Sequence, residues 1–378
     1  MRRKRLSQTL LPGLIANVRF SFLILISILF SSCAGQKEIS ENKINSTLEL
    51  AAEQYKYMKE LLPDDKFPKT YYAVDDRFET SGSGWWVSGF YPGTLLYLYE
   101  DLKDPELKQE ADRILKDLKK EQYNKSTHDL GFMMYCSFGN ANRVSPKEEY
   151  QEILMNSAKS LSTRFNEKVG AIRSWDSSDD SFLVIIDNMM NLELLFWASE
   201  HSGDNRYIAI THANTTMENH FRKDNSSYHV INYNVNTGEV KQKRTAQGAA
   251  DESAWARGQA WGLYGYTVMY RETKDKKYLD QAIKIAELML NHPNMPENKV
   301  PYWDYNADDI PDALRDSSAG AIMAAALLEL SEYVDKEKSK KFFKIAETAL
   351  STLMSDEYLA KKRNQWWIYL KTRGRKPS

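Results

Sequence analysis

The stretch SFLVIIDNMMNLELLFWASE, residues 181–200, is the most informative part of the chain for its fold. It is apolar on almost every face, and at 3.6 residues per turn it predicts one buried helix of about five turns. One carboxylate, Asp187, lies inside this apolar run. Burial disfavours the ionised form of a carboxylate. The position therefore indicates either an Asp hydrogen-bonded to a neighbouring helix or a catalytic acid that stays protonated near neutral pH. Asn188 and Asn191 are candidates to orient it.

Outward from this stretch, almost wholly apolar segments alternate with amphipathic ones. The apolar segments are residues 88–102, 130–137, 181–200, 253–271 and 316–332. The amphipathic segments are residues 44–61, 105–121, 147–165, 204–221, 275–291 and 335–353. An apolar helix needs neighbours on every side, whereas an amphipathic helix needs only one buried face. The alternation therefore predicts an all-α toroid of helical hairpins, with an inner and an outer ring. Eleven helices are predicted, and six hairpins need twelve.

Inner helices of such a ring run in the same direction, so the loops that enter them gather at one end. These loops are polar and aromatic, and they span residues 78–86, 124–129, 171–180, 227–252 and 301–315. The fourth loop alternates over residues 228–233 and has a turn signal at 236–238, which predicts a β-hairpin. An aromatic, carboxylate-rich mouth on a helical toroid favours a carbohydrate enzyme.

Composition excludes several other classes. The 378 residues include 42% apolar and 27% charged residues, and the net charge is −1. A balanced charge argues against a general nucleic-acid or membrane-surface binder. No Cys/His cluster has zinc-ligand spacing, and no phosphate loop or dinucleotide fingerprint is present. We therefore expect no metal and no cofactor.

The N-terminus predicts export. Positive charge at residues 1–5 precedes an apolar core at 20–30, and small residues then lead to Cys33, as in a bacterial lipoprotein signal peptide spanning residues 1–33. We expect lipidation of Cys33, a tether over residues 34–43, and a catalytic barrel from residue 44. The protein is then held in the periplasm or at the outer membrane, by its lipid anchor only. Ordinary secretion with cleavage near Ala34 is the alternative. Either way no internal disulfide forms, because the only other cysteine is Cys136.

Asp129 and Asp187 are the two carboxylates that we pair. Asp129 lies in the loop before a predicted inner helix, where an N-cap role is the alternative. Enzymes that cleave glycosidic bonds need two carboxyl groups of different acidity, one protonated and one charged. A mouth-facing Asp and a buried Asp provide that contrast.

Six stretches of the chain resemble the unsaturated glucuronyl hydrolases of glycoside hydrolase family 88. They are WVSGFYPG (86–93), HDLGF (128–132), IIDNMMNLELLFWAS (185–199), HANTT (212–216), ESAWARGQAWGLYG (252–265) and DSSAGAI (316–322). The resemblance implies an (α/α)6 barrel. It also implies hydration of the C4–C5 double bond in a 4,5-unsaturated uronic acid at the non-reducing end of lyase-generated oligosaccharides. The uronic acid then leaves as a keto sugar.

By this resemblance Asp187 is the general acid and base, and Asp129 binds ring hydroxyls and keeps Asp187 protonated. The positions that match sugar-site residues of the family are His128, His229, Gln247, Arg257 and Trp261. Arg257 suits a uronate carboxylate or a sulfate, or alternatively forms a structural ion pair with an inner Asp. Trp86 and Trp175 are candidates to stack on sugar faces, although buried structural roles are the commoner use of Trp.

The C-terminus departs from the family after residue 353, where we expect a truncated or altered end and a missing last helix. Competing functions are an unsaturated rhamnogalacturonyl hydrolase of the same fold, an inactive carbohydrate-binding lipoprotein, and a toroidal scaffold for protein contacts. The expected ligands are unsaturated uronic-acid oligosaccharides from glycosaminoglycan, ulvan or similar polysaccharides.

Overall fold

The computed structural model describes residues 38–72, 76–177, 179–202 and 205–360. The α-helices in these ranges are α1 Glu41–Leu61, α2 Phe90–Leu102, α3 Pro105–Leu118, α4 Asn140–Val144, α5 Glu148–Ser162, α6 Leu192–Ser202, α7 Arg206–Asn219, α8 Ala256–Thr273, α9 Lys276–Asn291, α10 Ser317–Ser331 and α11 Lys336–Leu353. A π-helix, Gly131–Gly139, runs directly into α4, and three 3₁₀-helices span Trp86–Gly89, Lys119–Tyr123 and Ile186–Asn191. The strands are β1 Phe67–Tyr72, β2 Arg77–Ser81, β3 Phe165–Asn166, β4 Ala171–Ile172, β5 Ser181–Ile185, β6 Val230–Asn234 and β7 Val240–Arg244.

Burial separates the helices into two alternating sets. Helices α8 and α11 each have 18 residues, but 12 are buried in α8 and only five in α11. Helix α8 packs against α9 and α10, and α10 packs against α11, so consecutive helices form hairpins. The α/α toroid predicted from the alternation is confirmed, and each of the eleven predicted segments contains a helix.

The first and last described segments are in contact. The Ile39 backbone N–H donates to the Glu347 carboxylate on α11 at 3.0 Å, and the Gln54 side chain on α1 donates to the Ala360 carbonyl at 2.7 Å. Helix α1 begins at Glu41 with Ser40 as its N-cap. The helix therefore takes in the last three residues of the predicted tether, because the Ser40 hydroxyl already caps its first turn.

Several predictions fall on residues outside the described ranges. These are the signal peptide, Cys33, residues 34–37 of the tether and residues 361–378. None of the helices in the part that the structure describes is both long and apolar enough to cross a membrane.

The prediction of one helix over residues 181–200 is wrong in its first half. Residues Ser181–Ile185 form strand β5, Ile186–Asn191 form a 3₁₀-helix, and α6 begins only at Leu192. The β-branched residues of this half suit a strand. Strand β5 is paired along its whole length with β6, from Ser181–Asn234 to Ile185–Val230. Asp187 therefore lies just before an inner helix and not inside one.

The predicted hairpin in residues 227–252 is confirmed as β6 and β7, which turn at Gly238 with a φ of +79°. Together with β5 it makes a three-stranded antiparallel sheet in the order β5-β6-β7. The hairpins β1–β2 and β3–β4 are short additions that the sequence pattern did not indicate. All three sheets lie in loops that precede inner helices.

Candidate active site

Strand pairing places Asp187 beside His229. Ile185 pairs with Val230, and the Ile186 backbone N–H donates to the His229 carbonyl at 3.0 Å. The segments that follow β5 and precede β6 therefore lie side by side at the end of the sheet. His229 Nε2 lies 3.6 Å from Asp187 Oδ2. This juxtaposition follows from the strand that the sequence pattern did not predict.

Asp187 is mostly withdrawn from water but still reachable. About 13% of its side chain is accessible, and Oδ2 is buried without a hydrogen-bond partner among the described residues. Burial raises the pKa of Asp187 to about 7, a backbone hydrogen bond opposes this rise, the charge of Asp129 adds to it, and Arg257 opposes it. A carboxyl group with such a pKa exists in both forms near neutral pH, as an acid–base catalyst requires.

Asp129 stands at the entrance of the π-helix and faces the same space. Its carboxylate accepts a hydrogen bond from the Thr127 hydroxyl at 3.3 Å and lies 3.2 Å from His128 Nε2. It does not cap a helix through its side chain, since the π-helix begins after Leu130 without a side-chain cap. Burial lowers the pKa of His128, so this histidine is neutral at neutral pH.

A close backbone contact holds the segment with Asp129 against the segment with Asp187. The Phe132 backbone N–H donates to Asn191 Oδ1 at 3.0 Å. A Cβ added to Gly131 would lie 2.4 Å from the Asn191 Cα, so only glycine permits this approach. The two carboxylates belong to segments 58 residues apart in sequence, and this contact fixes their relative position.

Asn188 and Asn191 do not orient Asp187, contrary to the sequence-based expectation. Both are fully buried, and the Asn188 amide donates to the Ile172 carbonyl at 3.0 Å. The 3₁₀ geometry turns both side chains towards neighbouring backbone, where they satisfy polar groups of β4 and the π-helix. Their role is to hold the 3₁₀-helix in place.

His229 is held in one tautomer. Its Nδ1 accepts hydrogen bonds from the backbone N–H groups of Ala246 and Gln247, at 3.0 and 3.2 Å. The proton of the neutral ring must therefore sit on Nε2, the nitrogen that faces Asp187. The Gln247 side-chain amide lies 3.5 Å from the same Nε2, so Gln247 also belongs to this group.

Arg257 forms the structural ion pair that the sequence left open. Its guanidinium lies 3.1 Å from the carboxylate of Asp316, a buried residue that also caps α10. Its charge nevertheless lowers the pKa of Asp187, so it acts on the same space. Arg257 also lies over the Trp255 ring at 5.1 Å.

The three predicted tryptophans line the site to different degrees. Trp261 is buried and packs against Phe132 at a centroid distance of 5.1 Å. Trp86 and Trp175 are half-buried, and Trp175 meets the His229 ring edge-on at 5.9 Å. Trp86 and Trp175 are therefore partly accessible to a ligand, whereas Trp261 mainly shapes the wall.

Sequence reasoning missed two aromatic residues of the wall. Trp255 lies 4.7 Å from His229 between ring centroids, and Phe132 contacts both Trp86 and Trp261. Both lie within quoted motifs, but neither carries a titratable group that would have drawn notice. Among the described residues no group of three His, Cys, Asp or Glu side chains is suited to hold a metal ion.

A helical toroid with a carboxyl of pKa near 7 at its mouth, a second carboxylate beside it and aromatic walls defines a carbohydrate-active hydrolase of the α/α-toroid class. No protein-family model matches the sequence. The unsaturated glucuronyl hydrolase of Formosa agariphila is 45% identical over 302 residues, which cover 79% of this chain and 75% of the relative. The chain therefore belongs to the unsaturated glucuronyl hydrolase family, glycoside hydrolase family 88, as the motifs indicated.

Solved structures agree. The crystal structure of an unsaturated glucuronyl hydrolase specific for heparin is 47% identical, covers 89% of this chain and 91% of its own, and superposes with a TM-score of 0.85. A substituted form of the Streptococcus agalactiae unsaturated glucuronyl hydrolase, complexed with dGlcA-GalNAc6S, is 27% identical, with coverages of 87% and 83% and a TM-score of 0.73.

Proposed function

We propose that this protein hydrates the C4–C5 double bond of a 4,5-unsaturated uronic acid at the non-reducing end of lyase-generated oligosaccharides. The observation that carries the proposal is Asp187, a reachable carboxyl group whose pKa is raised to about 7 beside the charge of Asp129. An enol ether needs a proton donor, and a carboxyl of ordinary pKa is ionised at neutral pH. The relative complexed with dGlcA-GalNAc6S supports this substrate class.

In the proposed reaction neutral Asp187 gives its proton to C4. The electrons of the double bond form the new C4–H bond, and the ring oxygen stabilises the positive charge at C5. Water adds to C5 and gives one proton to the Asp187 carboxylate, which restores the acid. The resulting C5 hemiketal opens to a ketone, C1 loses the remaining sugar as an alcohol, and one water is consumed in total.

The other residues divide the remaining tasks. Asp129 binds ring hydroxyls and favours protonated Asp187 by its charge. His229, through Nε2–H, faces the carboxylate that forms after proton transfer. Arg257 has guanidinium nitrogens beyond the one nearest Asp316, and these suit the uronate carboxylate. His128, Gln247, Trp86, Trp175 and Trp261 complete the sugar site.

The test follows the ultraviolet absorbance of the conjugated uronic acid while purified protein acts on lyase-generated disaccharides. We expect the absorbance to fall with the wild type and with an Asp101→Asn control, since Asp101 is exposed and remote from the site. Asp187→Asn should lower the rate about a thousandfold or more, because it removes the only proton donor assigned to C4. Turnover of an unsaturated galacturonyl-rhamnose disaccharide alone would replace the proposal with the rhamnogalacturonyl alternative.

We propose further that the chain is exported and anchored through lipid on Cys33. The support is the basic start, the apolar core and the small residues that precede this cysteine. Mass spectrometry of the membrane fraction of a Gram-negative host is the test. The expected result is a mature N-terminus at an acylated Cys33. The Cys33→Ser variant should either be released from the membrane or keep its signal peptide uncleaved. An unmodified N-terminus near residue 34 would show ordinary secretion.

A further inference from the structure

A cavity of about 300 Å³ lies outside the group of residues described above. It sits between the loop that leads to His128 and the hairpin β3–β4. The residues of its lining that carry the inference are Lys125, Arg164, Asn166, Arg173, Asp176 and Phe182. Three of these six are cations and one is an anion, so the lining has an excess of positive charge.

Arg164 builds the cavity and uses four of its five N–H donors on the protein, one of them on the Ser174 carbonyl at 3.3 Å. Its Nε donates to the Arg173 carbonyl at 2.9 Å, and one terminal nitrogen donates to the Lys125 carbonyl at 2.7 Å. The other terminal nitrogen binds the carboxylate of Asp176 at 2.9 Å. This residue therefore joins the two sides of the cavity, and Asp176 is already neutralised by it.

The remaining donors point to an anionic ligand. The Arg173 guanidinium lies over the Phe182 ring at 4.7 Å and has no ion-pair partner within residues 38–72, 76–177, 179–202 and 205–360. Lys125 is exposed and likewise forms no ion pair with the described residues. Asn166 accepts two backbone hydrogen bonds through Oδ1, from Lys168 and Val169, which leaves its NH₂ group as a donor.

The Arg173 side chain can therefore be removed without breaking a hydrogen bond of the fold. Its backbone is fixed independently, because its N–H donates to the Arg164 carbonyl at 2.9 Å and its carbonyl accepts from the Arg164 side chain. Stacking on Phe182 restrains a guanidinium that is not otherwise paired. A restrained, unpaired guanidinium is suited to bind planar or tetrahedral oxyanions.

The cavity lies next to the segments that carry His128 and Trp175. Arg173 lies two residues before Trp175, whose ring contacts His229. Lys125 lies three residues before His128, and the charge of Arg164 contributes to lowering the pKa of His128. The cavity is therefore close enough to His128 to be a candidate site for a group on the second or third sugar of an oligosaccharide.

We propose that this cavity binds a sulfate or carboxylate group on the part of the oligosaccharide beyond the unsaturated residue, through Arg173, Lys125 and Asn166. The inference rests on the proposed function. It makes the protein selective for anionic oligosaccharides over neutral ones.

The test compares two substrate pairs on the full chain. One pair is an unsaturated disaccharide with and without a sulfate on its second sugar. The other is an unsaturated tetrasaccharide with a uronate or a neutral hexose as its third sugar. The variants are Arg173→Gln, Arg173→Lys and Lys125→Gln, and the matched control is Lys168→Gln, an exposed lysine on the same hairpin but outside the cavity.

We expect Arg173→Gln to reduce the ratio of kcat/KM for the anionic over the neutral member about tenfold, the size of a lost charge-assisted hydrogen bond at a partly exposed site. Lys125→Gln should reduce it by a smaller factor, Arg173→Lys should retain most of it, and Lys168→Gln should leave it unchanged. The wild-type ratio should also fall at high salt. A loss confined to the first pair assigns a sulfate, and a loss confined to the second assigns a carboxylate.

If the ratio of kcat/KM for the anionic over the neutral substrate is the same in the wild type and in Arg173→Gln for both pairs, the inference is overturned. If the wild type turns over none of the substrates, the proposed function fails. Calorimetric titration of the same pairs then decides: tighter binding of the anionic members that Arg173→Gln removes supports the cavity as an anion site, and equal or absent binding rejects it. If Arg173→Gln does not fold, Lys125→Gln carries the comparison against Lys168→Gln, and an unchanged ratio in Lys125→Gln then overturns the inference.

Discussion

His229 Nε2 faces Asp187 Oδ2 at 3.6 Å, and it is the nitrogen that carries the proton of the neutral ring. The backbone N–H groups of Ala246 and Gln247 occupy Nδ1 and so fix the tautomer. The histidine therefore presents a donor and not a base to Asp187. A donor at this position stabilises the carboxylate that remains once the proton has been given to the substrate.

Replacing His229 by Phe removes this donor and keeps an aromatic ring against Trp255. We expect kcat/KM to fall about a hundredfold. We also expect the alkaline limb of the pH–rate profile, which reports ionisation of Asp187, to move to higher pH because the carboxylate is less stabilised. The measurement is the pH dependence of the loss of ultraviolet absorbance. His201→Phe, on the exposed end of α6, is the control, and an unmoved limb in His229→Phe would rule out the assigned role.

The raised pKa of Asp187 also predicts a pH-dependent stability. The pKa is about 7 in the folded protein and 3.8 in the unfolded chain, so the folded state binds the proton more tightly. Its stabilising contribution is fully present below pH 3.8, declines as the pH rises, and is lost above about pH 7. The difference amounts to about 4 kcal/mol of unfolding free energy, since one pKa unit corresponds to about 1.4 kcal/mol.

Asp187→Asn isolates this contribution. We expect the variant to be more stable than the wild type by about 2–4 kcal/mol at pH 8 and by much less at pH 4, because an amide has no charge to bury. Urea unfolding at the two pH values is the measurement, and Asp101→Asn should show no such difference. A variant whose stability parallels that of the wild type across this range would mean that Asp187 ionises normally.

The pattern of apolar and polar residues was sufficient to predict the toroid but not the geometry around Asp187. The alternation of apolar and amphipathic segments depends on which faces are buried, and this property is local to each helix. Whether residues 181–185 form a helix or a strand depends on the partner β6, which lies 45 residues further on. A continuous apolar run does not distinguish the two by itself.

The same limit applies to the partners of the candidate residues. Asp187, Asp129 and Arg257 were identifiable by type and motif, but the sequence did not say that Asn188 turns to Ile172 or that Asn191 turns to Phe132. These contacts depend on the 3₁₀-helix and the π-helix, whose backbone geometry carries no simple periodic pattern. Asp129 and Asp187 could be paired from their contrasting environments, but the separate role of each came only from the family resemblance.

Gly131→Ala tests whether the close contact between the π-helix and the 3₁₀-helix sets the distance between the two carboxylates. The added Cβ would lie 2.4 Å from the Asn191 Cα and 2.7 Å from its Oδ1, so backbone must move. We expect a loss of about 1–3 kcal/mol in unfolding free energy and at least a tenfold fall in kcat. Gly82→Ala is the control, because no atom lies within 4 Å of its Cβ position. Equal activities of the two variants would show that the contact does not position the site.

Variants of Arg257 and Asp316 can separate the effect of this ion pair on stability from the effect of the Arg257 charge on the pKa of Asp187. Arg257→Met leaves the buried Asp316 carboxylate without its ion-pair partner, and we expect a cost of about 3 kcal/mol in unfolding free energy. Asp316→Asn combined with Arg257→Met should recover much of that loss, because no charge then remains unpaired.

The pH–rate profile should respond differently. Because Arg257 lowers the pKa of Asp187, the alkaline limb should lie at higher pH in both proteins that carry Arg257→Met, whatever their stability. Urea unfolding and the pH profile measured on the same two proteins test this separation. A limb that returns to its wild-type position as stability is recovered would show that Arg257 acts on Asp187 only through the fold.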